Sequence, residues 1–493
     1  MTWKIREKLK KLASQEQGAL AKDWGGKCSA ALLYPNVYSV GMGNLAVHSI
    51  YRILNASPAI ACERAFMPGK FDMAEHRTTG TPVLSIESQR PLSDFDAIAL
   101  TCSFENDYLN IIPALTISRI PHRAAERTDD HPLIIAGGAA PTLNPLPLSL
   151  IADAVFLGEF EAFADRVIPI MEARLTKMDA IAELEQIPGV MIGPSKKPIA
   201  RRHIESLDPF KTETIIYSMA AEFGDMHLIE IERGCPRNCR FCATPVIYGK
   251  PRLRSQRAIM AMVEDGIAHR RKFGLVGADI LSHPKFESIA ASIIERKASF
   301  SPSSVRVDAI DEGKARLLHD AGLRSIALGI EAGSEGLRRT LGKGISDERI
   351  LVAAETLAQA GITRLRLYFM IGLPGETEAD IAAIAPLAVK IRDAVRGKAP
   401  RSQRSTAIDL TVTPFVPKPC TPFEETTFAG EGALKRKIGE LKKTLAREKG
   451  MSMRTDSIVD AMIEHRIANS DERCLEFFEE AYKDNARAAL KRD

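Results

Sequence analysis

The sequence predicts an α/β protein in two parts: an N-terminal doubly wound sheet of flavodoxin or Rossmann type, then a partial (βα)6 barrel with a small C-terminal helical cap. Three observations predict it. Short apolar runs within residues 27–175 end in Gly or polar residues, as buried parallel strands do. A stretch punctuated by Pro and Gly over 176–222 interrupts the pattern, and a second strand–helix alternation begins near Met226. The 493 residues, 45% hydrophobic, suffice for more than one core.

Residues 1–26 open with a basic amphipathic segment, read as a docking helix; it lacks the apolar core and small-residue cleavage site of a signal peptide. Within 27–175 the expected strands are Ala30–Tyr34, Asp96–Cys102, Leu133–Gly138 and Ala154–Glu159, with a helix around Leu45–Leu54. Ligands of such sheets sit at the strands' carboxyl ends, so the loops at Pro35–Gly43, Ser103–Asn106, Gly137–Gly138 and Gly158–Glu159 are expected to line one crevice. Gly41, Gly43 and Ala46 imitate a dinucleotide fingerprint but lie several residues past the strand, which discounts it. The uncharged run Pro132–Ala152 is broken by four prolines and reads as strand, turn and helix start, not as a membrane span.

The second part, 223–428, starts with a strand at Leu228–Glu232 and continues with strands near Leu275–Ile280, Ser304–Asp308, Ser325–Glu331, Leu365–Gly372 and Ile408–Thr413. Residues 429–493 read as helical, with a basic face over Ala433–Lys449 and a cap packed on the barrel. Sixty-seven basic against 63 acidic residues leave a net charge of +4, so no polyanion is implied and nucleic acid is not supported as a partner. Eight cysteines, three clustered and five scattered, indicate a reduced compartment, and a cytoplasmic location is expected.

The three clustered cysteines carry the functional expectation. Cys235, Cys239 and Cys242 form a Cys-x-x-x-Cys-x-x-Cys run just after the first barrel strand. A structural zinc site needs four closed ligands, and no second Cys or His pair follows at useful distance. Three thiolates suit a [4Fe–4S] cube with one iron left open. Gly234 lets the backbone turn closely, and Phe241 would shield the cluster from water.

With an aromatic residue immediately before the last cysteine, this loop resembles the signature of the radical S-adenosylmethionine (SAM) enzymes. The resemblance implies that the amino and carboxylate groups of SAM bind the open iron and that an electron from the cluster splits the sulfonium to a 5′-deoxyadenosyl radical. It implies SAM contacts from Gly277 and Asp279, standing where the family often has Gly-Gly-Glu; from Asp308; from Glu331, toward ribose; and from the backbone at Gly372. Ser334 either serves the same sugar or caps the next helix. Arg366 and Tyr368 share a strand face, and Arg252 and Arg254 are candidate anion contacts or solvated charge. Cys420 is a candidate radical partner or a plain buried thiol.

With the phrases Ile-Ala-Gly-Gly-Ala-Ala-Pro-Thr at 135–142 and Phe-Leu-Gly-Glu-Phe-Glu at 156–161, residues 28–170 resemble cobalamin-binding domains. Where many of those carry a cobalt-ligating His, this chain has Tyr38, and a phenol is a poor replacement for imidazole; cobalamin binding is left open. The implied partners are an unknown substrate and a reductant such as ferredoxin or flavodoxin. Two alternatives stand beside this reading: a methylthiotransferase acting on RNA or protein, with Cys28, Cys62 and Cys102 as extra ligands, and a non-enzymatic Fe–S redox sensor.

Overall fold

The computed structural model describes residues 2–195, 197, 199–400, 406–490 and 492; Lys196 and Pro198 of the expected connector, and residues 1, 491 and 493 at the two ends, lie outside them. The chain divides into two compact units, Met1–His227 with Arg466–Asp493, and Leu228–His465.

In the first unit, six strands form one sheet of order β2-β1-β3-β4-β5-β6: β1 Cys28–Tyr34, β2 Ile60–Phe66, β3 Ala97–Thr101, β4 Leu133–Gly137, β5 Ala154–Phe156 and β6 Val190–Met191. The first five run parallel and β6 antiparallel. The strand order reverses between β1 and β3, which is the topological switch point of a flavodoxin-like sheet. Every residue of β1, β2 and β3 is buried, the consequence of helices on both faces. The helix Leu45–Ala56 starts where the Asn44 side chain accepts the Ala46 N–H at 2.9 Å, and it buries Val47, Tyr51 and Leu54 against the sheet.

Three expectations are corrected here. Strand β2 carries Glu63 and Arg64, charges that hide it from an apolar pattern. The fully buried Arg64 guanidinium reaches Glu87 at 2.7 Å and Glu16 at 2.7 and 2.8 Å. The N-terminal helix spans only Thr2–Ser14; beyond it Gln17 pairs antiparallel with Tyr217. The connector is less of a linker than its punctuation indicates, because it holds the helix Lys177–Glu185, strand β6, and Arg202, which pairs with Gly158.

The cap is corrected as well. From Arg466 onward the chain belongs to the first unit, not to the barrel. In the helix Cys474–Lys483, Leu475, Phe477 and Phe478 are buried, with Phe478 edge-on to Tyr108 at 6.1 Å. The Asn144 amide donates to the carbonyls of Ala468 and Ser470, at 3.0 and 2.7 Å, and fixes the approach.

The second unit is a partial parallel barrel. It begins with β7 His227–Glu230, followed by a two-residue antiparallel ribbon, β8 Glu232–Arg233 with β9 Arg252–Leu253. The remaining strands are β10 Lys272–Val276, β11 Ser299–Pro302, β12 Ser325–Glu331, β13 Arg364–Ile371, β14 Ala407–Pro414 and β15 Met451–Thr455. They form the orders β11-β10-β7 and β12-β13-β14-β15, linked by a parallel bridge between Val305 and Leu328. The third strand was expected at 304–308, but those residues form a bridge and a turn after β11. Strand β15 lies inside the region expected to be helical; its Met-Ser-Met-Arg-Thr pattern pairs with β14 from Ile408 to Val412.

Leu365, Leu367, Phe369 and Ile371 of β13 pack into the core with the surrounding helices, while Arg366, Tyr368 and Met370 take the other face. No helix among the described residues is long and apolar enough to cross a membrane.

Candidate active site at the cysteine loop

The ribbon of β8 and β9 pinches residues 234–251 into a loop whose ends are fixed by pairing of Glu232 with Leu253 and of Arg233 with Arg252. Gly234 has φ +85°, and a Cβ there would meet the Pro251 backbone at 3.1 Å. Cys235, Cys239 and Cys242 are all half-buried on this loop. The loop is pinned at its centre, where the Arg240 N–H donates to the Leu341 carbonyl at 2.9 Å. Phe241 packs against a small apolar group of Ala332, Leu337, Leu341, Leu373, Phe415 and Phe423. The aromatic residue thus anchors the loop.

Burial pushes the Cys235 and Cys239 thiols above their usual range; at Cys239 the nearby Lys343 and Arg306 oppose it. Among the described residues no three His, Cys, Asp or Glu side chains converge on one metal ion. A cubane does not require that, because each thiolate takes a different iron. Three cysteines on a glycine-hinged loop, in surroundings where a shared positive cluster would replace three protons, fit such a group and do not complete a zinc tetrahedron.

The carboxylates gather around the loop, each already partnered. Asp279, buried after β10, accepts from Arg237 Nε at 2.8 Å and from Ser282 Oγ at 2.9 Å. Its own N–H donates to Glu232, the residue of β8 just ahead of the cysteine loop. Gly277 is required here: a Cβ would meet the Glu232 side chain at 2.4 Å. Asp308 is chelated by Arg306 at 2.9 Å through both Nε and Nη2, and Arg237 stands 3.9 Å away. Burial pushes the Asp308 carboxyl up, but the bonds from Arg306 prevail and hold it below the ordinary carboxylate range.

Glu331 ends β12 in a left-handed conformation, φ +72°, after a register shift between Gly329 and Glu331. Its carboxylate pairs with Lys343 at 2.5 Å. Ser334 caps the helix Glu335–Thr340 and also donates to Asp380, so its hydroxyl is committed to the fold. The Gly372 N–H goes to Glu376 at 2.9 Å, and Glu376 pairs in turn with Lys437.

The structure therefore brings Asp279, Asp308 and Glu331 to the cysteine loop through Arg237, Arg306 and Lys343, and gives Ser334 and Gly372 local bonding duties. Sequence reasoning missed Glu232 and those three cations. Glu232 and Arg237 had a signal in their position beside the cysteines; Arg306 and Lys343 had none. Arg254 is buried and binds the Glu230 carbonyl and carboxylate at 2.7 and 3.0 Å, so it braces the ribbon. Arg252 donates to the Tyr248 carbonyl at 2.7 Å. Cys420 is exposed.

In the first unit, the Tyr38 hydroxyl donates to Glu16, and burial followed by the Glu16 charge raises its pKa. That carboxylate is the one held by Arg64. The loop after β1 thus offers cobalt neither an imidazole nor a free phenol. His48, ten residues on, is buried, with Nε2 against the Met42 carbonyl at 3.0 Å and Nδ1 accepting the Ile215 N–H at 3.2 Å.

Two family models match the chain, radical SAM proteins, N-terminal, over residues 46–193 and the radical SAM superfamily over 229–388. The protein is a radical SAM enzyme. A Methanocaldococcus jannaschii protein, MJ0966, is 27% identical over 476 residues, 94% of each chain. The tRNA-2-methylthio-N(6)-dimethylallyladenosine synthase of Acidithiobacillus ferrooxidans is 27% identical over 40% of this chain and 47% of its own. Among solved structures, the radical SAM methyltransferase TsrM of Kitasatospora setae, with cobalamin and a [4Fe–4S] cluster bound, has TM-score 0.56 at 15% identity, covering 78% of this chain and 75% of its own. The cobalamin-dependent enzyme OxsB, with aqua-cobalamin and SAM bound, has TM-score 0.54 at 13% identity, covering 93% and 62%. At these identities the two structures share the fold.

Proposed function

We propose that the protein holds a [4Fe–4S] cluster at Cys235, Cys239 and Cys242 and uses it to cleave SAM reductively, with radical chemistry on a separate substrate as the outcome. The observation that carries this is the ribbon-framed loop of three half-buried cysteines beside Asp279, Asp308 and Glu331 at the carboxyl ends of the barrel strands. When bound there, the cluster supplies the electron that converts SAM to methionine and a 5′-deoxyadenosyl radical.

The chain's own residues hold and orient. Glu232 fixes the backbone of the Gly277–Asp279 turn, Arg237 aims the Asp279 carboxylate, and Phe241 keeps water from one side of the loop. Asp279 and Glu331 are the groups for the SAM ammonium and ribose, and each must exchange a present partner, Arg237 or Lys343, to take that role. Gly372 lies where the adenine would be recognised, and Asp308 acts through Arg306. A ferredoxin- or flavodoxin-type protein is the proposed electron source.

Cobalamin-dependent methyl transfer is the finer reading, supported by the fold likeness to TsrM and OxsB. Without a ligand from Tyr38, cobalamin in this chain would bind with no protein bond to cobalt from that loop. Methylthiotransferase chemistry is disfavoured by the remaining cysteines. Cys28 opens β1 and Cys102 follows β3, and the register pairs Leu33 with Leu100. The two thiols therefore sit at opposite ends of the sheet, roughly 23 Å apart at about 3.3 Å per residue. All three are buried inside the first unit, whereas Cys235, Cys239 and Cys242 are half-buried on their loop.

The test is anaerobic reconstitution with iron and sulfide, in protein produced with hydroxocobalamin, followed by metal analysis and a SAM-cleavage assay. About four irons per chain and dithionite-dependent 5′-deoxyadenosine, both abolished in Cys239→Ala, are expected. Stoichiometric cobalt supports the methyl-transfer branch; its absence removes that branch. A chain that binds the cluster without cleaving SAM overturns the proposal.

A further inference from the structure

Two cations converge on one cysteine of the loop. Arg306 uses Nε and Nη2 on Asp308, and its Nη1 lies 3.8 Å from the Cys239 sulfur. Lys343 comes from a different element. It sits on the turn after the helix Glu335–Thr340, whose Leu341 carbonyl binds the Arg240 N–H at 2.9 Å. Gly342 in that turn lies so close that a Cβ would meet the Asn238 carbonyl at 2.7 Å. The turn that carries Lys343 is thereby tied to Asn238 and Arg240, the residues on either side of Cys239.

The burial of Lys343 is built in. Its side chain is only 6% exposed and pairs with Glu331. Both charged ends fold over Gly329, where a Cβ would meet Glu331 Oε1 at 2.6 Å and Lys343 Nζ at 2.8 Å. The left-handed backbone at Glu331 turns its side chain back to make this pair. Each ion pair is a dipole, and in that of Arg306 the cation is the member at the sulfur, with Nη1 3.8 Å from Cys239 while Nε and Nη2 hold Asp308.

We infer that Lys343 and Arg306 raise the reduction potential of a cluster held at Cys235, Cys239 and Cys242, and that Glu331 tempers the effect. The inference rests on the cluster reading proposed above. Reduction adds one electron from a low-potential one-electron donor, and no ligand or proton moves. The reduced cluster carries more negative charge, so a cation in a partly dry site stabilises it more than the oxidised form.

The experiment is a mediator-coupled redox titration with dithionite, followed by electron paramagnetic resonance, on the full reconstituted chain without SAM. Lys343→Met and Arg306→Gln are expected to shift the midpoint to more negative potential, so that at the wild-type midpoint the reduced fraction falls several-fold. Lys343→Arg stays near wild type. Glu331→Gln shifts the opposite way, a sign that a purely structural role does not produce. If Lys343→Met loses the cluster, the direction of the Glu331→Gln shift decides. Unchanged midpoints, or shifts of one sign in all variants, overturn the inference while leaving the cluster reading intact; a wild-type chain that binds no cluster overturns both.

Discussion

Arg64 carries as much charge as any surface arginine, yet it is fully buried between two carboxylates, with the Tyr51 ring 5.3 Å from its guanidinium carbon. Removing one partner of such a group leaves the others charged and dry, which costs about 3–5 kcal/mol. Arg64→Met is expected to lower unfolding stability by that amount in urea titration, and adding Glu16→Gln and Glu87→Gln should recover much of it. Gly277 makes a narrower case. Its α-carbon faces the Glu232 carboxylate, so Gly277→Ala forces that side chain away and should cost about 1–3 kcal/mol, read as a lower denaturation midpoint.

The helix Leu45–Ala56 carries one source of pH dependence in the first unit. Burial depresses the His48 pKa to about 4 from an ordinary 6.5. Its neutral form therefore contributes stability that is complete above about 6.5 and is lost as the pH falls through 4, worth about 3 kcal/mol in all. His48→Gln retains a donor for Met42 and an acceptor for Ile215, and is expected to flatten the stability–pH curve between pH 6.5 and 4 in thermal melts.

Elements also mark where the sequence could be read and where it could not. Strands β1, β3, β4 and β5 were legible because their apolar runs are uninterrupted. Strand β2 was not, since Glu63 and Arg64 find their partners in distant loops. Strand β15 alternates only half-buried with exposed residues, which looks like a surface helix or loop. The three cysteines were legible from spacing alone. Lys343 was not, because its approach depends on Gly342 meeting Asn238 across some hundred residues of chain, a contact with no local pattern.

At the scale of the molecule, the first unit is assembled from both ends of the chain. Deleting residues 466–493 uncovers Tyr108 and strips Asn144 of its two carbonyl partners. Hydrogen exchange should then speed up across Glu105–Ile117, while the strands from β10 to β15 keep their protection.

That return of the C-terminus also sets an order of events during synthesis. The sheet of the first unit emerges from the ribosome early, but the helix that covers Tyr108 waits until all of residues 228–465 have been translated. At about 5–20 residues per second that interval is roughly ten to fifty seconds. During it the nascent unit displays an apolar patch that the finished protein hides, a window in which a chaperone would find its binding site and a truncated message would yield a product marked for degradation.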